Sequence, residues 1–180
     1  TGSGKTYTTG YLAKLWNAKE KKTITQKLIQ TGNIDISEDI EQHREIMGMG
    51  WFPEDEMKLT MPEIFTYPAS PHLATKIDGR DIDFQKIENA TAQLAEKYEI
   101  VLLEGAGGLM VPLTTDLLTI DYVAEKKHPI IFVTSGRLGS INHTILSLEA
   151  IKNRGLELYA VAYNLNDESQ DELISKDTAE

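Results

Sequence analysis

The sequence opens on TGSGKT, which places small residues, a lysine and a hydroxyl residue in the order of a phosphate-binding loop. Gly4, Lys5 and Thr6 fit the second half of the pattern G-x-x-x-x-G-K-[ST], and Gly2 lies in the same turn. In such loops the backbone N–H groups and the lysine bind phosphates, while the hydroxyl group is a ligand of Mg²⁺. The pattern predicts a nucleotide site, and its first glycine and the strand that leads into the loop are expected upstream of Thr1.

Three other polar residues stand at the ends of short apolar segments. TITQK ends on Lys27, IVLLE ends on Glu104 and AVAYN ends on Asn164. A carboxylate directly after four apolar residues has the form of a Walker B acid, which binds Mg²⁺ directly or through water. The same carboxylate could instead simply end a strand. The glycines of EGAGG do not continue as a dinucleotide-binding fingerprint, because Met110 occupies the position of its third glycine.

Two further segments have both a structural and a functional interpretation. GSINH, which starts at Gly139, opens a predicted helix whose free N–H groups could bind an anion or simply begin the helix. Asp39 lies near the start of another predicted helix, where acidic residues often only oppose the helix dipole. His72 is one of four scattered histidines, and their spacing does not predict a metal cluster. The residues alone leave both interpretations of GSINH and of Asp39 open.

Alternating helical and strand patterns must position these residues. Helices are predicted over residues 5–18, after the N-cap Ser37, and over 83–99, 118–127 and 140–153. The first is predicted to share one face among Tyr7, Tyr11, Leu12, Leu15 and Trp16, and the second to turn Ile40, Ile46 and Met47 inward. Strands are predicted over 23–29, 63–67, 100–104, 129–135 and 156–164, and residues 50–72 are predicted to be rich in loops. Nearly continuous apolar strands between amphipathic helices indicate a doubly wound α/β fold, with a mostly parallel sheet and helices on both faces. Ligands of such sheets bind beyond the carboxyl ends of the strands.

Composition restricts the class of protein further. The 180 residues, 41% of them hydrophobic and 26% charged, suit a single domain over residues 1–180. The absence of cysteine excludes disulfides and thiolate chemistry and favours a cytoplasmic location. A net charge of −10 disfavours binding to nucleic acid or to anionic lipid, and no apolar run approaches the roughly 20 residues of a membrane span. Positive charge for a polyphosphate must therefore be concentrated locally.

Taken in order, the motifs resemble those of the dethiobiotin synthetase family. The resemblance rests on TGSGKT, QKLIQTG, SEDI, YPASPHLA, VLLEGAGGLMVPL, GRLGSINHT and AVAYN, and it spans nearly all of the sequence. EGAGG followed by a valine and a proline, with SPH before it and LGSINH after it, is a combination that a generic P-loop ATPase would rarely share. Family chains continue beyond the C-terminus of this one, so the resemblance implies a domain truncated at both ends.

The resemblance implies a reaction and its cofactor. ATP, CO2 or bicarbonate and 7,8-diaminononanoate give dethiobiotin, ADP and phosphate, in the presence of Mg²⁺. A carbamate formed on one amine is phosphorylated by ATP, and the second amine then closes the ureido ring. Lys5 and Lys27 are the implied catalytic cations, because carbamate and γ-phosphate are both anionic. Thr6, Asp39 and Glu104 are the implied ligands of Mg²⁺.

The resemblance also assigns the remaining site residues. ATP is expected to contact Gly2, Gly4, Lys5, Thr6, Glu104, Gly105, Gly107 and Asn164, the last at the adenine. Substrate is expected to contact Lys27, Thr31 near the carbamate, and Gly139, Ser140 and Asn142. The last three would come from the partner subunit of a homodimer and bind the distal carboxylate of the diamine.

Two alternatives belong to other functional classes. One is a nucleotide switch of the partitioning-ATPase type, which carries a second lysine early in its phosphate-binding loop. The other is a different P-loop amide-forming synthetase, such as a cobyrinate diamide synthetase. Those enzymes usually add a glutamine-hydrolysing domain with a cysteine, and this sequence has no cysteine.

Overall fold

The computed structural model describes residues 2–165, and this part of the chain alternates helices with short strands. The helices are α1 (Lys5–Ala18), α2 (Glu38–Met47), α3 (Pro53–Glu56), α4 (Pro71–Asp78), α5 (Phe84–Lys97), α6 (Thr119–Lys126) and α7 (Ser140–Asn153). The strands are β1 (Thr23–Lys27), β2 (Gln30–Thr31), β3 (Ile64–Phe65), β4 (Ile100–Glu104), β5 (Ile130–Ser135) and β6 (Leu158–Asn164). The predicted α/β class is confirmed.

The named strands pair in parallel, as predicted. Strand β1 pairs with β4, β2 with β3, and β5 with β6. Parallel neighbours need a crossover connection, and the helices between the paired strands supply it. Helix α2 packs against β1, α5 packs against β4, and α7 packs against β5. None of the helices within residues 2–165 combines the length and the apolar character that crossing a membrane requires.

The chain divides into two compact units. Within the described residues, one joins residues 2–8 to residues 120–165, and it contains β5, β6 and α7. The other runs from Thr9 to Thr119 and contains the β1–β4 and β2–β3 pairs. The organisation of residues 1–180 as a single domain stays a prediction.

Both ends of helix α2 are set by capping residues, Ser37 at the N-terminus and Gly48 at the C-terminus. The hydroxyl of Ser37, the predicted N-cap, accepts a hydrogen bond from the backbone N–H of Ile40. Gly48 ends the helix with φ 70°, a left-handed conformation that glycine adopts without steric cost. The buried face of the helix carries Ile40 and Met47 as predicted, together with the polar residues His43 and Arg44. Ile46, predicted to face inward as well, is partly exposed.

Two local predictions differ from the structure. The strand predicted over 23–29 ends at Lys27, and Leu28 and Ile29 form a buried connection to β2. The segment predicted to be rich in loops contains α3 and the start of α4 as well as β3. Both helices carry proline near their N-terminus, where its missing N–H costs no helical hydrogen bond.

Helix α1 has its predicted bounds but packs through an unexpected face. Tyr7, Tyr11 and Leu15 are more than half exposed, and the buried positions are Gly10 and Ala13. A Cβ atom at Gly10 would lie 3.1 Å from side-chain atoms of Ile46 on α2. The close approach of the two helices therefore depends on small residues rather than on the aromatic stripe.

Candidate active site

Lys27 and Glu104 are brought together by strand register. They are the last residues of β1 and β4 and are direct partners in the parallel pair. The Lys27 Nζ donates to Glu104 Oε1 at 3.0 Å and to the carbonyl oxygen of Gly105 at 3.4 Å. Only 6% of Lys27 and 4% of Glu104 is exposed to solvent. The predicted strand-end residues thus form a buried ion pair at the carboxyl edge of this sheet.

Asp39 supplies a second carboxylate to the same ammonium group. Its Oδ2 lies 2.5 Å from Lys27 Nζ, and 24% of its side chain is exposed to solvent. Asp39 is the second residue of α2, so the N-cap of that helix determines where its carboxylate lies. Sequence alone left a purely local role for Asp39 open, whereas the structure places it in the lysine cluster.

Glu104 is an ionised carboxylate despite its burial. Burial by itself would raise its pKa, but the hydrogen bond from His43 and the positive charge of Lys27 outweigh that effect and lower the pKa to about 2. At neutral pH its oxygens therefore act only as acceptors.

His43 is a member of this cluster that the sequence did not single out. Its Nε2 lies 2.9 Å from Glu104 Oε2, and its Nδ1 lies 3.0 Å from Thr25 Oγ1. The ring is fully buried. Two spacings could have indicated it: His43 follows Asp39 by four residues on α2, and Thr25 precedes Lys27 by two on β1. Each pair therefore shares one face of its element.

Arg44 anchors the outer end of this polar chain. Its guanidinium donates to both oxygens of Asp55, at 2.8 and 2.7 Å, and its Nη1 donates to Thr25 Oγ1 at 2.8 Å. The hydroxyl of Thr60 also donates to Asp55, at 2.6 Å. The bidentate pair fixes Arg44 in one orientation, since a planar guanidinium matches the two oxygens of a carboxylate. All of these residues are nearly or fully buried.

The glycine turn before α1 lies in the first compact unit and has the backbone shape of a phosphate-binding loop. Gly2 and Gly4 adopt φ 73° and 90°, and Lys5 begins the helix directly afterwards. Asn164 Nδ2 donates to the carbonyl oxygen of Ser3 at 3.3 Å, and a Cβ atom at Gly4 would collide with that amide. The structure therefore brings Asn164 to the loop, whereas its contact with adenine stays a prediction.

Arg137 lies in the same unit, and the sequence did not single it out. Its guanidinium lies against Gly2, where a Cβ atom would stand 2.9 Å from Nη1. It precedes the start of α7, at which Gly139 is the N-cap with φ 90°. Ser140 is buried there and Asn142 is exposed. Binding of substrate by Gly139, Ser140 and Asn142 stays a prediction.

Two further groups of predicted residues lie in the second unit. Thr31 ends β2 and is partly exposed, on a different pair of strands from Lys27. Gly105 and Gly107 follow β4, and Gly107 adopts φ 75°. The carbonyl oxygen of Gly105 accepts a hydrogen bond from Lys27 Nζ.

Asp39 and Glu104 offer the hard oxygen ligands that Mg²⁺ prefers. No group of three or more His, Asp or Glu side chains within residues 2–165 could hold a metal ion by itself. Mg²⁺ in enzymes of phosphate chemistry is usually bound through one or two carboxylates together with substrate phosphates and water. Thr6 belongs to the first compact unit, and the ligand set Thr6, Asp39 and Glu104 stays a prediction.

These features are typical of a nucleotide-dependent enzyme of the P-loop class: parallel α/β units, a glycine turn that leads into a helix, and a lysine–carboxylate cluster at strand ends. A family model described as an AAA domain matches residues 1–179. The chain belongs to the ATP-dependent dethiobiotin synthetase family, as its similarity to several members shows.

The similarity extends along nearly the whole chain. The ATP-dependent dethiobiotin synthetase BioD 2 of Pasteurella multocida (strain Pm70) is 49% identical over 178 residues, which cover 99% of this chain and 83% of that protein. The dethiobiotin synthetase BioD of Chlorobaculum tepidum is 48% identical over 180 residues, covering 100% and 75%. BioD 2 of Haemophilus influenzae is 51% identical over 164 residues, covering 91% and 86%.

Proposed function

We propose that this chain catalyses the ATP-dependent conversion of 7,8-diaminononanoate and CO2 to dethiobiotin, with release of ADP and phosphate. The family relationship carries the proposal, because members with 48–51% identity align over 91–100% of this chain. It does not favour the nucleotide-switch or amide-synthetase alternatives. The Lys27 cluster supplies the kind of chemistry that this reaction requires.

The reaction must bring two anions together. A carbamate oxygen attacks the γ-phosphorus of ATP, and the bond from that phosphorus to ADP breaks. The second amine then attacks the carbamate carbon, a C–N bond forms and phosphate leaves. Lys27 supports the first step, since a buried and preorganised ammonium stabilises crowded negative charge more strongly than a solvated one.

Lys5 and Lys27 have different tasks in this proposal. Lys5 begins α1 directly after the glycine turn and binds the outer phosphates of ATP together with the backbone N–H groups. Lys27 faces the carbamate at the strand end. Thr31 binds near the carbamate, and Asn164, Gly105 and Gly107 contact the nucleotide.

Mg²⁺ is part of the proposal, with Thr6, Asp39 and Glu104 as its protein ligands. The metal supplies charge neutralisation for the transferred phosphoryl group. The ionised state of Glu104 and its position beside Asp39 and Lys27 fit this donor set. Loss of one of these charged oxygens should appear as an increased requirement for magnesium.

We further propose a homodimer in the cytoplasm, in which Gly139, Ser140 and Asn142 of one subunit bind the diamine carboxylate in the site of the other. Support comes from the exposed apolar side chains Ile141 and Ile145, which lie on α7 beside Asn142 and are 46% and 53% exposed. Such a face is typical of a surface that a second copy covers. Analytical ultracentrifugation of Ile145→Glu against wild type tests this arrangement.

The decisive experiment measures ADP release by the purified native protein with Mg²⁺-ATP and bicarbonate, with and without diaminononanoate. We expect ADP release to depend on the diamine and dethiobiotin to be detected by mass spectrometry. Equal ADP release without the diamine would contradict the synthetase and support a nucleotide switch.

A further inference from the structure

We propose that His43 is a positioning residue that holds the Glu104 carboxylate in the orientation needed at the active site. This inference rests on the proposed function, because it assigns Glu104 a role in Mg²⁺-ATP turnover. The observation behind it is the 2.9 Å contact between His43 Nε2 and Glu104 Oε2 in a buried environment.

The direction of this hydrogen bond follows from the acceptor. The Lys27 ammonium can only donate and forms an ion pair with Glu104 through Oε1, so the carboxylate accepts at both oxygens and the proton between Oε2 and the ring is on His43 Nε2. This holds for the neutral imidazole with Nε2–H and for the imidazolium, because both carry a proton on that nitrogen. The positioning role therefore does not depend on the charge of the ring.

The ring is itself fixed from its other side. Arg44 can only donate, so Thr25 Oγ1 accepts from its Nη1 while contacting His43 Nδ1 at 3.0 Å. Arg44 is in turn held by two hydrogen bonds to Asp55. A chain of buried hydrogen bonds thus leads to the carboxylate, and each member limits the rotation of the next.

The two oxygens of Glu104 are held by different kinds of donor. Lys27 binds Oε1 with a flexible side chain, whereas His43 binds Oε2 with a rigid ring. When the Lys27 ammonium turns toward the carbamate and the phosphate, Glu104 loses that donor. His43 then keeps the carboxylate of Glu104 in place. Because Asp39 lies four residues before His43 on α2, this helix fixes Asp39 directly and Glu104 through the His43 ring.

A pair of amide variants separates this role from simple packing. An asparagine amide at position 43 occupies roughly the place of Nδ1 and keeps the contact with Thr25, whereas a glutamine amide reaches the place of Nε2 and keeps the contact with Glu104. We expect His43→Asn to raise the Mg²⁺ concentration for half-maximal rate, or to lower kcat, by about 10–100-fold, the usual effect of losing a partner of a metal-binding carboxylate. His43→Gln should change either quantity less than about tenfold.

Two measurements do not depend on turnover. Calorimetric binding of Mg²⁺-ADP should weaken in His43→Asn and not in His43→Gln. Long-range ¹H–¹⁵N NMR of the nucleotide-free wild type should show a proton on His43 Nε2, and an unprotonated Nε2 would overturn the proposal. Thr91→Val is the control for stability, because it removes a hydrogen bond to the buried Gln26 and touches neither Glu104 nor the chain of hydrogen bonds that holds His43. It should lower Tm while leaving the Mg²⁺ requirement unchanged.

The outcomes distinguish this inference from the proposed function. If wild-type protein shows no diamine-dependent ADP release, the proposed function is wrong. If wild type shows it and His43→Asn matches His43→Gln in Mg²⁺ requirement and in Mg²⁺-ADP affinity, only the positioning role is wrong. Should neither variant fold, Thr25→Val removes the hydroxyl that holds the ring and should raise the Mg²⁺ requirement in the same direction. An unchanged requirement in Thr25→Val would then refute the role of His43.

Discussion

Replacing Lys27 with methionine removes one buried ammonium group and keeps a side chain of similar length. In the nucleotide-free protein, the Glu104 and Asp39 carboxylates then face each other without the cation that lies 3.0 and 2.5 Å from them. We expect the free energy of unfolding at neutral pH to fall by about 3 kcal/mol, the lower end of the range for breaking a buried ion pair. The lower end applies because the Asp39 side chain keeps 24% of its exposure and stays partly solvated.

The pH dependence of this loss follows from Glu104. Burial opposes its ionisation, and the His43 hydrogen bond and the Lys27 charge lower its pKa from 4.5 to about 2. A depression of that size corresponds to about 3 kcal/mol of stability, present above the unfolded-state pKa and lost as pH falls through the folded-state value. Without Lys27 the pKa of Glu104 should rise. The difference in stability between wild type and variant should therefore shrink as pH falls from 4.5 to about 2.

The same substitution should affect catalysis more than nucleotide binding. We expect Lys27→Met, Lys27→Ala and Lys27→Gln to keep ATP affinity within about tenfold and to lower dethiobiotin formation by at least roughly 10²-fold, the scale for losing one preorganised electrostatic contact. ATP affinity is measured by calorimetry. Turnover is measured as diamine-dependent ADP release, with mass spectrometry of the product.

An exposed ion pair in the same chain provides the control for charge removal. Lys21 Nζ lies 3.1 Å from Glu99 Oε2, almost the distance of the Lys27–Glu104 pair, but the two side chains are 59% and 53% exposed. Lys21→Met should change neither stability nor turnover measurably, since solvent screens such a pair. Equal losses in the Lys21 and Lys27 variants would refute the argument from burial. Normal turnover in every Lys27 variant would leave the family assignment intact and remove this lysine from catalysis.

Three further predictions concern single side chains. Lys5→Ala should weaken ATP binding in calorimetry as well as turnover, because the outer phosphates lose their cation; unchanged affinity would remove Lys5 from the site. Glu104→Gln should keep the folded structure by circular dichroism but raise the Mg²⁺ concentration needed for ATP turnover, since a hard cation loses a charged ligand; an unchanged requirement would remove Glu104 as a ligand. Ser37→Ala should lower the urea-derived free energy of unfolding by about 1–2 kcal/mol, because the N-cap bond to Ile40 and the bond to Gln30 are both lost. No loss would contradict the capping role.

Local sequence patterns were sufficient for the long elements. The periodicity of α5 and α7 predicted their extent to within two residues, and the apolar runs gave the positions of β4 and β5. The strand-end rule also selected Lys27 and Glu104 before any pairing was known, because parallel strands present their carboxyl ends at one edge. The prolines of residues 50–72 predicted loops, but Pro53 and Pro71 are the first residues of α3 and α4.

The polar chain behind Glu104 could not be predicted in the same way. His43 contacts Thr25 and Glu104, which lie 18 and 61 residues away along the chain. Such contacts depend on the register between β1 and β4 and on the rotation of α2 about its axis. Periodicity shows that one face of a helix is buried, but it does not show which polar side chain on that face meets which strand. The sequence therefore shows that His43 and Arg44 belong to α2, but it does not predict which residues they contact.

The arrangement explains how a protein with a net charge of −10 can present a cation to anionic substrates. An unpaired ammonium with 6% exposure would be several kcal/mol less stable than one in water, so Lys27 requires carboxylates beside it before substrate arrives. Asp39 and Glu104 meet that requirement, and both are also suited to Mg²⁺. Binding of Mg²⁺-ATP would thus engage the carboxylates and allow Lys27 to exchange them for the substrate anions. In this scheme His43 contacts Glu104 but not the reacting groups. Because its ring is fixed, Lys27 can move from the carboxylates to the substrate anions while the Glu104 side chain keeps its position.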